Sequence, residues 1–194
     1  MQRLVVFCDE SIEKGKYYSN FFGAIMVKEA DLVRVNNILE TKLKSLNLGK
    51  EVKFTRITTS YQTKYQELMV EFFRLVKSGE LKVRIMFTQN LDLPQLTPEQ
   101  RKRNKYFVLY YQLIKHAFGW QYMPDPTPYL LQLNFDVFPH TKGDIAEFKR
   151  YLVGLSNQPE LSSKGLIIYE RNIAEVDSSK HAILQCLDIV MGSM

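Results

Sequence analysis

Cysteine is scarce in this chain of 194 residues: there are two, Cys8 and Cys186, and neither belongs to a CxxC pair. That excludes a zinc ribbon and a disulfide framework within the chain, and a reducing compartment is expected. No apolar run approaches the roughly 18 to 20 residues that a membrane span needs. The opening MQRLVVFCDES holds only five apolar residues, Leu4 to Cys8, before a charged pair. It is too short for a secretory apolar region and has no small-residue cleavage site, so the protein is expected to be cytoplasmic, with no membrane partner. GxxxxGK[ST] and GxGxxG are both absent, which leaves a nucleotide-binding phosphate loop without support. There is no GxSxG elbow, and Ser11 has no evident histidine base. Repeats, low-complexity tracts and long linkers are also lacking, so residues 1–194 read as one domain. The chain stops at MGSM directly after a helical pattern, as a fragment of something longer would.

What is present suffices for a core. Hydrophobic residues make up 45% and aromatic residues 12%, enough to fold around a sizeable interior. Charged residues make up 24%, too ordinary a share for global disorder. The net charge of +5 leans towards an anionic partner such as nucleic acid, though a mild basic excess is common in proteins that never meet one.

Periodicity predicts alternating strands and helices. Leu4–Asp9 is a nearly continuous apolar run, the mark of a central strand covered on both faces. The EKGKYYSN turn and a second strand over Phe21–Val27 make a hairpin with it. Helices are predicted over Glu29–Leu46, ended around Gly49, and over Tyr61–Lys77, ended by Ser78 and Gly79. A short strand is predicted at Glu51–Phe54 and an alternating one at Leu81–Thr88. Beyond a proline-marked loop come a helix over Gln100–Phe118, a strand over Tyr129–Phe135 and a helix over Gly143–Leu155. A short strand over Leu166–Tyr169 and a last helix over Ser179–Gly192 complete the pattern. An α/β fold with a mixed sheet, opened by an N-terminal β-hairpin and flanked by helices, is the class that follows.

Several carboxylates stand out against this pattern. The last helix, HAILQCLDIVMG, is apolar nearly all round, yet Asp188 sits in its middle. A carboxylate buried there needs a cation or donors to compensate. His181, Gln185 and Asp188 share the helix's one polar stripe; a buried Asp paired with Lys or Arg would look the same. Asp9 ends the apolar run at a point where open α/β sheets place ligands, although Asp also starts many ordinary turns. Glu51 and Lys53 share one face of their segment, as an exposed ion pair would. Asp136 follows Gln132 and Asn134 on the polar side of its strand, and Asp177 has the look of a helix cap. In QRKRNK, Arg101, Lys102, Arg103 and Lys105 could neutralise phosphates, though a solvated helix end has the same composition. The tyrosines that follow, like Cys8 and Cys186, fit the core.

The opening LVVFCDES, the strand YYSNFFGAIMV, the element EVKF and the closing VDSSKHAILQCLDIVMG occur in an order that resembles domain-of-unknown-function family 3800. The match rests on Asp9, Glu10 and Ser11, on Glu51 and Lys53, and on Asp177, Ser178, Leu184, Gln185 and Asp188, and it spans almost the whole chain. After Ser11 the chain departs from that family, with Ile12 and a charged EKGK turn in place of a small residue. The resemblance implies a ribonuclease H-like fold and a metal-dependent nuclease. It implies metal ligation by Asp9, Glu51, Asp136 and Asp188 as the catalytic carboxylates. Crowded carboxylates repel one another unless a cation neutralises them, and all-oxygen ligands select Mg²⁺ or Mn²⁺. Two such ions would serve hydrolysis of a DNA or RNA phosphodiester. Lys53 or His181 would bind the scissile phosphate or shuttle a proton, and Arg101, Lys102, Arg103 and Lys105 would hold the substrate. A non-catalytic nucleic-acid-binding or partner-binding domain that keeps the fold is the alternative.

Overall fold

The computed structural model describes residues 1–14, 17–49, 51–89, 98–123 and 128–194, with the side chains of 12–14 and 98–105 outside that description. Five strands form one sheet in the order β3-β2-β1-β4-β5. They are β1 (Gln2–Lys14), β2 (Tyr18–Lys28), β3 (Lys82–Gln89), β4 (Tyr129–Phe135) and β5 (Leu166–Glu175). The first three pair antiparallel, whereas β4 joins β1 in parallel and β5 joins β4 in parallel. This is the expected mixed sheet opened by a hairpin. Among the described residues six helices flank it: α1 (Glu29–Ser45), α2 (Gln62–Lys77), α3 (Pro98–His116), α4 (Lys142–Gly154), α5 (Pro159–Ser162) and α6 (Ala182–Gly192). No helix among the described residues is long and apolar enough to cross a membrane.

The continuous apolar run of β1 is explained by the two layers it separates. Leu4, Val6 and Cys8 point into a core shared with Tyr110 and Leu113 of α3 and Phe148 and Leu152 of α4. Val5 and Phe7 point the other way, into a core shared with Leu39 of α1, Phe72 of α2 and Leu187 of α6. A strand with both faces covered has no polar side to show, so it cannot alternate. On β2 the layers are held by Phe22, Ala24 and Met26 on one side and by Ile25 and Val27 on the other.

Helix α6 lies unusually close to the sheet. A Cβ placed on Gly23 of β2 would stand 2.6 Å from Met191 Sδ and 2.7 Å from Leu187 Cδ1. Near the other end of the same contact, a Cβ on Gly192 would stand 2.4 Å from Phe54 Cγ. Absence of a side chain at these two positions brings α6, β2 and the 54 region together.

Several element boundaries differ from those expected of the sequence. Glu51–Phe54 is not a strand: it is irregular and leads into a 3₁₀ turn, Phe54–Arg56. Strand β1 does not end at Asp9 but continues to Lys14, because β2 keeps pairing with it through Asp9↔Gly23 and Ser11↔Phe21. The chain leaves α1 through Asn47, in the left-handed conformation (φ 49°), within the Asn47–Gly49 stretch where the helix was expected to end. The final helix is split into a 3₁₀ turn, Ser178–Lys180, and α6, with an extended His181 between them. Strand β5 also runs past Tyr169 to Glu175. Its pairing jumps from Leu131↔Ile168 to Leu133↔Ile173, a bulge that carries the polar residues Glu170, Arg171 and Asn172 and interrupts the apolar pattern.

Candidate active site

Asp9 and Asp136 become neighbours through strand register. Phe7 pairs with Asn134 and Cys8 with Phe135, and the Asp136 N–H then donates to the Cys8 carbonyl at 3.1 Å. Alternation therefore sets Asp136 beside Asp9, on the face that carries Phe7 and receives α6. Asp9 stands where the parallel partner β4 ends and only the antiparallel partner β2 remains, so its position on β1 is buried yet reachable from one side. Asp188 approaches the same face from α6, one residue beyond Leu187, which packs on the Gly23 that pairs with Asp9.

The electrostatics record this convergence. Asp9 is 9% exposed, and its carboxyl is pushed up from 3.8 to about 8. Burial is the main cause, followed by the charge of Glu10, with Asp136 and Asp188 adding to it; the Glu10 N–H, at 2.8 Å, works in the opposite direction. Glu10 points to the other layer of the sheet, where the hydroxyls of Tyr106 (2.8 Å) and Tyr110 donate to its carboxylate. Burial raises the Glu10 carboxyl against those two donors, and Asp136 adds to the rise. The two phenols are raised in turn, by burial first and then by Glu10. Glu10 thus belongs to the electrostatic group although reasoning from the sequence assigned it no role. The signal available was the i, i+4 spacing of Tyr106 and Tyr110, which puts two hydroxyls on one helix face.

Lys53 stands within the field of this group. Its ammonium contacts Glu51 at 3.0 Å, which is the main reason its pKa is raised, with Asp188 and Asp136 contributing more distantly. Glu51 is held by Lys53 and by Arg56 at 3.1 Å. It sits with these two cations, whereas Glu10, Asp136 and Asp188 are the leading charges that act on Asp9.

The segment that carries Lys53 is hung on α6. Val52 N–H donates to Gln185 Oε1 at 2.9 Å, and Phe54 N–H donates to Asp188 Oδ2 at 2.7 Å. Two alternate amides of an extended stretch meet two side chains one helical turn apart. The helix thus supplies the acceptors that a partner strand would have given, which is why EVKF reads as a strand without being one. Among the described residues, no group of three or more His, Cys, Asp or Glu side chains is gathered closely enough to hold a metal ion. The all-oxygen donors of Asp9, Asp136 and Asp188 are of the kind that suits a hard divalent cation.

No family model matches the chain, and no curated protein sequence matches it. Solved structures do. Ribonuclease HII of Archaeoglobus fulgidus, in its complex with PCNA, aligns over 96% of this chain and 69% of its own, at 13% identity and a TM-score of 0.50. Ribonuclease H2 of Pyrococcus horikoshii OT3 aligns over 97% and 70%, at 14% identity and a TM-score of 0.45. Bst-RNase HIII in complex with Mn²⁺ aligns over 97% and 51%, at 13% identity and a TM-score of 0.46.

The fold is ribonuclease H-like.

In this ribonuclease H-like fold His181 is the extended N-cap residue of α6. His181 packs against the Phe7 ring at 5.4 Å; burial lowers its pKa, and Asp177 and Lys180 are the charges that act on it. It lies seven positions before Asp188, and Phe7, on which it packs, is two residues from Asp9 on the same face of β1. Asp177 caps the 3₁₀ turn, accepting from Ser179 N–H at 3.0 Å. Cys8 and Cys186 are free and buried; burial drives the Cys8 thiol well up and the Cys186 thiol to about 12, so both are inert packing groups. The side chains of Arg101, Lys102, Arg103 and Lys105, in the first turns of α3, lie outside the described residues.

Proposed function

We propose that this chain is a metal-dependent nuclease that hydrolyses phosphodiester bonds of DNA or RNA. The observation that carries it is the placement of Asp9 on β1, Asp136 at the end of β4 and Asp188 on α6 of a ribonuclease H-like fold, near enough that Asp136 and Asp188 both add to the rise that burial and Glu10 impose on the Asp9 carboxyl. The likeness to a structure named as a ribonuclease supports the reaction class, and the resemblance to family 3800 supports the choice of residues. Asp9, Asp136 and Asp188 would hold Mg²⁺ or Mn²⁺, with Glu10 behind Asp9 and Glu51 keeping Lys53 and Arg56 in place. A pair of such ions supplies an activated water and stabilisation of the leaving oxygen. Lys53 binds the phosphate at the rim of the carboxylates, where its charge balances the substrate's without competing for the metal. The burial of Asp9 makes the carboxylates depend on a cation and keeps bulk water from screening them.

A nucleic-acid-binding domain without catalysis is the second reading, and one observation favours it. Asp188 already accepts the Phe54 N–H, and among the described residues no three His, Cys, Asp or Glu side chains are gathered closely enough to hold a metal ion.

Thermal unfolding with and without Mn²⁺ or Mg²⁺ separates the two. A cation held only by the folded chain stabilises it by about 2.7 kcal/mol at one hundred times Kd, a rise in Tm of roughly 5–10 °C for a chain of this size. Labelled DNA and RNA should be cut in Mn²⁺ by the wild type and left intact by Asp188→Asn, which should fold normally. No shift with either ion at millimolar concentration would leave the binding domain, and full cleavage by Asp188→Asn would remove that residue from the site.

A further inference from the structure

We propose that Gln185 is a positioning residue that sets Lys53 at the carboxylates, a role that rests on the nuclease reading of the site. The side chain of Gln185 is 5% exposed and uses both ends of its amide. Its Oε1 accepts from Val52 N–H at 2.9 Å, and its Nε2 donates to the carbonyls of Ser179 (3.0 Å) and Ser178 (3.3 Å). One amide therefore ties three segments together: α6, the 3₁₀ turn before it, and the stretch that carries Lys53. Val52 is fixed on both sides of its backbone, by this bond and by its side chain, which is 1% exposed in the α6 core. Phe54 is fixed by Asp188. Lys53 lies between two anchored residues, so the direction of its side chain is inherited from α6, the helix that also presents Asp188. Phosphate binder and carboxylate are set by one rigid element. Such an arrangement keeps a cation from drifting while substrate is absent.

A double-mutant cycle on binding tests it. The probes are fluorescein-labelled single-stranded DNA and RNA oligonucleotides, in EDTA, with affinity read from anisotropy and thermal unfolding confirming the fold of each variant. Gln185→Met keeps the volume and removes the hydrogen bonds; Lys53→Met removes the charge. Each alone should weaken binding by about five-fold, and the double variant also by about five-fold, because Lys53 is already misplaced once Gln185 is gone. Hydrogen exchange at the Val52 amide should quicken in Gln185→Met. Should that variant fail to fold, Val52→Pro removes the same bond from the other side and enters the cycle in its place. A double variant weakened by about 25-fold, the product of independent effects, overturns the proposal. So does Lys53→Met with wild-type affinity. If cleavage in Mn²⁺ persists while the cycle is independent, the positioning role alone falls. If the wild type neither binds nor cuts either probe while Gln185→Met still releases the Val52 amide, the nuclease reading falls, and the tie remains a feature of the fold.

Discussion

At the scale of single residues, Asp9 carries the most testable chemistry. Its ordinary value of 3.8 is raised to about 8 in the fold. Below pH 3.8 both folded and unfolded chains hold the proton. Between 3.8 and about 8 the unfolded chain releases it while the folded chain keeps it, so folding stability falls as pH rises through this window and levels off above it. Asp9→Asn removes that penalty. In EDTA the variant should match wild type near pH 4 and exceed it progressively up to pH 8; a difference of about 2 kcal/mol would appear as a Tm higher by roughly 4–8 °C. Adding Mn²⁺ at pH 8 should reverse the order, since only wild type gains a ligand. Equal Tm values at pH 8 in EDTA would mean that Asp9 is not under electrostatic pressure. As a residue, Asp9 was visible in the sequence because a carboxylate following five apolar residues is costly in any fold. Glu10 was not, because its two donors come from positions 96 and 100 residues away, and only the packed molecule shows them to be within reach.

At the scale of elements, α6 does two things: it closes the core above β1 and β2, and it ties down residues 52–54. The first was legible, since a helix apolar nearly all round has to be buried. The second was not. Alternation in EVKF signals a strand, and nothing local tells whether its amides will meet another strand or the side chains of a helix. The polar bulge of β5 escaped notice for a related reason, because pairing that resumes after a break is a property of the neighbouring strand. The two close-approach glycines give a stability test of the α6 contact. A methyl at Gly23 would meet Met191 and Leu187 inside the core, where both are buried. A methyl at Gly192 would meet Phe54 Cγ at 2.4 Å and Phe54 Cβ at 2.5 Å, atoms at the root of a side chain whose N–H is held by Asp188. Overpacking costs about 1–3 kcal/mol where neighbours cannot yield, whereas a helical Gly→Ala change can return up to about 1 kcal/mol. Gly23→Ala and Gly192→Ala should each lower Tm by several degrees, the second in spite of the helix propensity it gains. A variant that melts at or above the wild-type temperature would contradict the close approach at its position.

At the scale of the whole molecule, charge and topology act together. The sheet brings the end of β4 beside Asp9, midway along β1, and the carboxylates there would by themselves repel a nucleic acid. The net charge of +5 has to come from elsewhere on the surface. The densest run of cations is Arg101, Lys102, Arg103 and Lys105, on the α3 helix whose Tyr106 and Tyr110 reach Glu10. If that run holds the phosphate backbone, replacing all four with Gln should weaken oligonucleotide binding without regard to sequence and change its salt dependence. For single strands each phosphate contact adds about 0.7 to the slope of log K against log salt, so the loss of three or four contacts should flatten it by roughly 2–3. Cleavage at saturating substrate in Mn²⁺ should survive, because the carboxylates lie on other elements. An unchanged slope would assign the run to an ordinary solvated helix end and move the search for the substrate path towards Lys53 and Arg56. A flattened slope with catalysis retained would separate a binding surface on α3 from a reacting centre shared by β1, β4 and α6.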